Sequence, residues 1–108
     1  MEELLDIETY NGLKDLLEEE FPSFLEMFFS ENQDALDGIK TGLAANDADS
    51  VKRAAHNLKS STGYLGAMQL SELARQIEEG AAANDLSNTG ELYEQAQSMF
   101  ETIKTTVL

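Results

Sequence analysis

The sequence predicts an all-α fold: an antiparallel up-down four-helix bundle with an additional short helix at its N-terminal end. Three observations carry this. Apolar residues recur at three- and four-residue spacing along most of the chain, and no segment alternates apolar and polar residues as a half-buried strand does. One proline, Pro22, interrupts 108 residues. The gaps between periodic segments are short, which makes sequential helices antiparallel neighbours.

Taken in order, Asp6 is placed to cap a short first helix carrying Ile7, Tyr10, Leu13 and Leu17. Pro22 disfavours helical geometry at Phe21, which predicts a break there, and proline is well tolerated in the first turn of the helix that follows. That second helix repeats Phe24, Phe28, Ala35, Ile39 and Leu43, with Leu25 and Leu36 beside them, and ends in Leu43-Ala44-Ala45-Asn46. Its Met27-Phe28-Phe29 run reads as core and as packing against the first helix rather than as a ligand box. Asp47 is a good N-cap for the third helix, and Asp49 suits the positive end of its dipole. The third helix runs to about Leu65 and Gly66 stops it. A fourth begins near Met68 and carries Leu70, Leu73, Ala74, Ile77 and Ala81, until Asn84 and Asp85 break it. Ser87 or Asn88 caps the last helix, where Asn88 and Glu91 have capping-box spacing. That helix shows Leu92, Ala96, Met99, Ile103 and Val107. With no linker, repeat or low-complexity segment, residues 1–108 read as one domain of a size that can bury a real core.

Charge narrows the function. Seven Lys and Arg face 21 Asp and Glu, a formal net charge of −14. That argues against a phosphate-backbone partner, which needs a basic footprint, and against anionic lipid surfaces. There is no cysteine, so neither a disulfide framework nor a thiolate metal site is available. The acidic start MEELLDIETY lacks a long apolar run, and neither a signal peptide nor a membrane anchor is expected there. No stretch approaches ~20 consecutive apolar residues. A cytoplasmic protein without nucleic-acid or membrane partners is expected.

Against this background the stretch AHNLKSSTGYLG, residues 55–66, stands out. It holds the only histidine, His56, in the one place where basic side chains cluster: Lys52, Arg53 and Lys59. At ~100° per residue the third helix has two faces. Val51, Ala54, Ala55, Leu58, Ser61, Thr62 and Leu65 form a seam for a neighbouring helix. Asp49, Lys52, Arg53, His56, Lys59, Ser60 and Gly63 fall on the solvent face. Residues three and four apart are neighbours on a helix, so the three bases repel one another around the imidazole, and an anion there would relieve them. Gly63, two turns beyond His56, costs the helix ~1 kcal/mol relative to alanine and leaves a flat surface suited to an approaching macromolecule.

A second relation comes from the hairpin of the third and fourth helices, whose turn is Gly66-Ala67. His56 lies eleven residues before Ala67 and Glu78 eleven after. The carboxylate is thus placed to reach the imidazole. Accepting a hydrogen bond from Nδ1–H, it would fix the tautomer and leave Nε2 as the outward nucleophile.

The run His56-Asn57-Leu58-Lys59-Ser60-Ser61, followed by Gly63, Leu65 and Gly66-Ala67, resembles the signature of histidine-containing phosphotransfer (HPt) domains, in particular the stand-alone bacterial type. Lys52-Arg53-Ala54-Ala55 is similar to the run that precedes the histidine in that family, and Ser60 occupies a position that is often glycine there. The resemblance extends over essentially the whole chain. It implies a phosphorelay intermediate of two-component signalling. His56 would take a phosphoryl group from a receiver-domain aspartate of a sensor or hybrid histidine kinase and pass it to the receiver of a response regulator. It also implies that Lys59 offsets phosphoryl charge and Glu78 orients the imidazole, while Lys52, Arg53, Ser60 and Gly63 meet the partner. Mg2+ would belong to the receiver, with no cofactor on this chain. No P-loop or Gly-rich nucleotide loop is present, so no ATP-dependent kinase activity is expected, and an outward histidine needs no dimer.

The leading alternative is a helical interaction module that binds a receiver or another partner without being phosphorylated. An enzyme using His56 as general base fits less well, because such chemistry needs a concave pocket and the histidine sits on a convex helix. A metal site has one histidine, no cysteine and no EF-hand pattern to draw on.

Overall fold

A computed structural model describes residues 4–108. Residues 1–3, the beginning of the expected 1–108 domain and of its acidic start, lie outside them. Five α-helices follow in order: α1 Ile7–Leu17, α2 Phe21–Ala44, α3 Ala48–Leu65, α4 Met68–Ala82 and α5 Thr89–Val107, with a 3₁₀ turn at Glu18–Glu20 between the first two. Among the described residues there is no strand, and no helix is long and apolar enough to cross a membrane. α2 to α5 form the bundle: α3 packs between α2 and α4, α4 packs on α5, and α5 closes on α2. At 1.5 Å per residue the 24-residue α2 runs most of the 41 Å long axis.

The helices stop where their sequences tell them to. Gly66, at φ +97°, ends α3, and the amides of Gly66 and Ala67 bond back to the carbonyls of Gly63 and Thr62 at 3.1 and 2.9 Å. This is the Schellman pairing, which satisfies carbonyls that the helix end would otherwise leave bare. Asn46 and Asn84, also at positive φ, close α2 and α4 with the same pair of bonds. Asp47 caps α3 by accepting the amide hydrogen of Ser50 at 3.2 Å.

Two expected boundaries fall elsewhere. The break before α2 lies at Glu18–Glu20, with Glu18 at φ 49°, while Phe21 is the first residue of α2 and fully helical. Pro22 then sits in the first turn, where its missing N–H costs no helical bond, so the chain bends ahead of it. The Asn88–Glu91 capping box does not form, and Asn88 makes no side-chain cap bond. Asp85 instead holds the loop, accepting from the amide and hydroxyl of Ser87 at 3.0 and 2.6 Å.

The core is one cluster running the length of the bundle, with Leu36, Ile39, Leu58, Leu70, Ile77 and Phe100 fully enclosed. Each such side chain contributes ~2–3 kcal/mol of burial. Phe28 and Phe29 belong to it, but Met27 is 60% exposed: three consecutive helical residues span ~200°, so the core cannot take all of them. α1 lies across the end that carries the α3–α4 turn, where the amide of Asp6 donates to the carbonyl of Gly66 at 2.8 Å.

Candidate functional site

The site lies on the α3–α4 side of the bundle. Val51, Ala55, Leu58, Thr62 and Leu65 of α3 are buried, which turns the opposite face outward. The His56 side chain is 57% exposed. Arg53 and Ser60 beside it are exposed, as is Lys52.

Glu78 reaches His56 from α4. Its Oε2 lies 2.7 Å from Nδ1 of His56, and its Oε1 accepts from Nζ of Lys59 at 2.6 Å. The carboxylate is only 17% exposed, yet ionised. Lys59 holds its pKa below the ordinary 4.5, with a smaller contribution from His56 and with burial opposing. An ionised carboxylate only accepts, so the hydrogen between them sits on Nδ1. In the neutral ring the lone pair is then on Nε2. The arrangement offers an exposed nitrogen nucleophile of fixed tautomer.

The bases around His56 are arranged differently from a free cationic cluster. Lys59 is bonded to Glu78, and Arg53 pairs with Asp49 at 3.2 Å. Lys52 has no ion-pair partner among the described residues. The repulsion that the sequence suggests is thus offset within the protein, one carboxylate coming from the next helix and one from the turn before.

Gly63 also departs from expectation. It is half-buried, and a Cβ built on it would meet Oγ of Ser71 on α4 at 3.4 Å and its Cβ at 4.0 Å. His56 and Gly63 both border α4. The imidazole is long enough to clear the seam, whereas position 63 lies inside it. Gly63 therefore faces α4, where a Cβ would make ordinary contact with Ser71, and is not an open flat spot.

One feature escaped sequence reasoning. A groove runs along the α2–α3 seam, lined by Ala35, Gly38, Ala54, Asn57, Ser61 and Tyr64, and bordered by Arg53 and Ser60. Small residues at facing positions on the two helices make it, and only knowledge of which faces meet reveals them. Asn32, buried at its edge, donates to the Phe28 carbonyl and to Oγ of Ser61 at 2.8 and 2.9 Å. Among the described residues no three His, Cys, Asp or Glu side chains are grouped to hold a metal ion.

The site thus presents an exposed imidazole, steadied by a carboxylate across a hairpin of a four-helix bundle. The Hpt domain profile matches residues 23–106, and the chain belongs to the Hpt domain family. Its backbone is similar to the crystal structure of histidine-containing phosphotransfer protein B (HptB) from Pseudomonas aeruginosa PAO1. The TM-score is 0.92 at 26% identity, over 95% of this chain and 90% of that one. No curated protein sequence matches the chain significantly. Membership of the family gives a histidine phosphotransfer role in a phosphorelay, and proteins of this family interact with receiver domains.

Proposed function

We propose that His56 is the phosphoacceptor of a phosphorelay intermediate standing between two receiver domains. The observation that carries this is the Nδ1–Glu78 hydrogen bond on an exposed ring. Nε2 attacks the phosphorus of a receiver's aspartyl phosphate. The N–P bond forms, the acyl O–P bond breaks, and the aspartate leaves as a carboxylate. The reverse reaction on a second receiver, that of a response regulator, regenerates neutral His56. Phosphoryl transfer is largely positioning and charge stabilisation. Glu78 supplies the first by holding the ring. Lys59, and Lys52 with no ion-pair partner among the described residues, keep positive charge beside an otherwise acidic protein.

The receiver docks over Lys52, Arg53 and Ser60, with the adjoining α2–α3 groove continuing the surface. The Mg2+ that accompanies aspartyl phosphates belongs to the receiver, and this chain brings no cofactor. It acts as a monomer, since His56 is open to a partner without a second copy.

Incubation with each phosphorylated receiver domain of the source organism tests this. Transfer of label to an acid-labile, base-stable species on His56, followed by its loss to a second receiver, is the expected result. Tight receiver binding without label would favour the interaction module instead.

A further inference from the structure

The pair Gly63 and Ser71 repeats, two turns nearer the hairpin turn, the symmetry that relates His56 and Glu78. Gly63 lies four residues before Ala67 and Ser71 four after; His56 and Glu78 lie eleven on either side. On the inner rung, Oγ of Ser71 donates to the carbonyl of Lys59 at 2.9 Å. Position 63 faces Ser71 across the seam, where a Cβ would stand 3.4 Å from its Oγ, an ordinary van der Waals contact. On the outer rung, Glu78 takes the Nδ1 hydrogen of His56 at 2.7 Å.

The Ser71 hydroxyl is not used as helices usually use it. Serine in a first turn commonly serves its own helix end, and α4 starts from Ala67 with no side-chain cap. Ser71 reaches across to α3 instead, to the carbonyl of the residue whose ammonium binds Glu78. A hydrogen bond at 2.7 Å weakens steeply once the donor and acceptor part by more than ~0.5 Å. The outer rung therefore depends on the spacing that the inner rung sets.

We propose that Ser71 is a positioning residue for His56: its hydroxyl pins α4 to α3 at the spacing that lets Glu78 fix the imidazole tautomer. The consequence for rate rests on the phosphohistidine reading above; the consequence for the tautomer does not. In water a neutral imidazole carries its proton mainly on Nε2, so loosening Glu78 moves the proton onto the nitrogen that must attack.

The test uses the full chain with Ser71→Ala, which removes only the hydroxyl, and Ser71→Leu, which wedges a bulky side chain against Gly63. The ring 15N shifts of His56 report the tautomer. The rate of labelling by potassium phosphoramidate, which transfers phosphoryl to imidazole nitrogen with release of ammonia, reports Nε2 without a docking partner. In both variants the ring proton is expected to move from Nδ1 towards Nε2, less in Ser71→Ala. The labelling rate in Ser71→Leu is expected to fall to that of Glu78→Ala. In a Glu78→Ala background neither substitution lowers it further, because both act through one hydrogen bond. Wild-type ring shifts in Ser71→Ala overturn the proposal, whether or not Ser71→Leu folds, and so does a loss that multiplies with that of Glu78→Ala. Ring shifts that move as expected in a protein that phosphoramidate never labels would uphold the positioning and sink the phosphoacceptor reading.

Discussion

Glu78 lies 22 residues beyond His56 in sequence and 2.7 Å from its Nδ1 in space. The same carboxylate is bonded to Lys59, the neighbour of His56 one helical turn along. A single side chain of α4 thus ties two residues of α3 together, and it leaves the imidazole only one nitrogen with which to react.

Replacing His56 removes that nitrogen and little else. The ring is more than half exposed and takes no part in the core. His56→Gln is expected to abolish all acid-labile phosphorylation, while circular dichroism and the melting temperature stay near those of the parent, as surface changes usually stay within ~0.5 kcal/mol. Residual acid-labile label in that variant would contradict the assignment, since it would have to sit on a residue other than the single histidine.

The Glu78 network gives a pH signature. Its carboxyl is held below the ordinary 4.5, first by Lys59 and then by His56. A carboxylate with a depressed folded pKa contributes stability that is fully present above its unfolded pKa and is lost as pH falls through the folded one. The difference in melting temperature between the parent and Glu78→Gln is therefore expected to be largest above about pH 5. It should shrink at more acid pH, as the parent's carboxyl takes up its proton. A difference that grows on acidification would show that the carboxylate is not stabilised by these partners.

The contact between His56 and Glu78 was legible because helices joined by a tight turn are near mirror images about that turn, and Gly66-Ala67 marks the turn plainly. The direction of Gly63 was not, because helical phase places it with His56 but does not say how far α4 wraps round that face. The same limit hid the pairing of Lys59 with Glu78 and the α2–α3 groove. Helix positions followed from periodicity, and their ends from Gly66, Asp47 and the two asparagines. The errors lay at two boundaries: Asn88 makes no cap bond while Asp85 holds the preceding loop through Ser87, and the 3₁₀ turn took the bend from Phe21.

Asn32 joins α2 to α3 beneath the groove. It is 2% exposed, with its amide bonded to the Phe28 carbonyl and to Ser61. Each such bond contributes ~1 kcal/mol net, and an unpaired buried group costs more than a missing pair. Asn32→Ala is expected to lose about 2 kcal/mol in urea unfolding and Ser61→Ala about 1 kcal/mol. Asn32→Leu with Ser61→Ala should recover most of the loss, because that double change leaves neither group unpaired. A double variant weaker than the sum of the singles would show that the bond is not the source of the loss.

Gly66 is the residue on which α1 and the α3–α4 turn meet. At φ +97° it adopts a conformation that costs an L-residue ~1–2 kcal/mol. A Cβ there would also sit 3.0 Å from the Asp6 carbonyl oxygen and 3.1 Å from Cβ of Thr9, and the Gly66 carbonyl accepts the Asp6 amide. Gly66→Ala must therefore strain the turn and push α1 off the end of the bundle. A loss of at least ~2 kcal/mol is expected, about 10 °C in melting temperature for a domain near this size. Hydrogen exchange should quicken most at the amides of Asp6 and Tyr10, which bond to Gly66 and within the start of α1. His56 lies ten residues back along α3, ~15 Å along the axis, so its ring 15N shifts should hold while α1 loosens. Loss of stability with full protection of α1 would place the strain in the turn alone. Ring shifts that follow α1 would show that the end of the bundle and the histidine move as one unit.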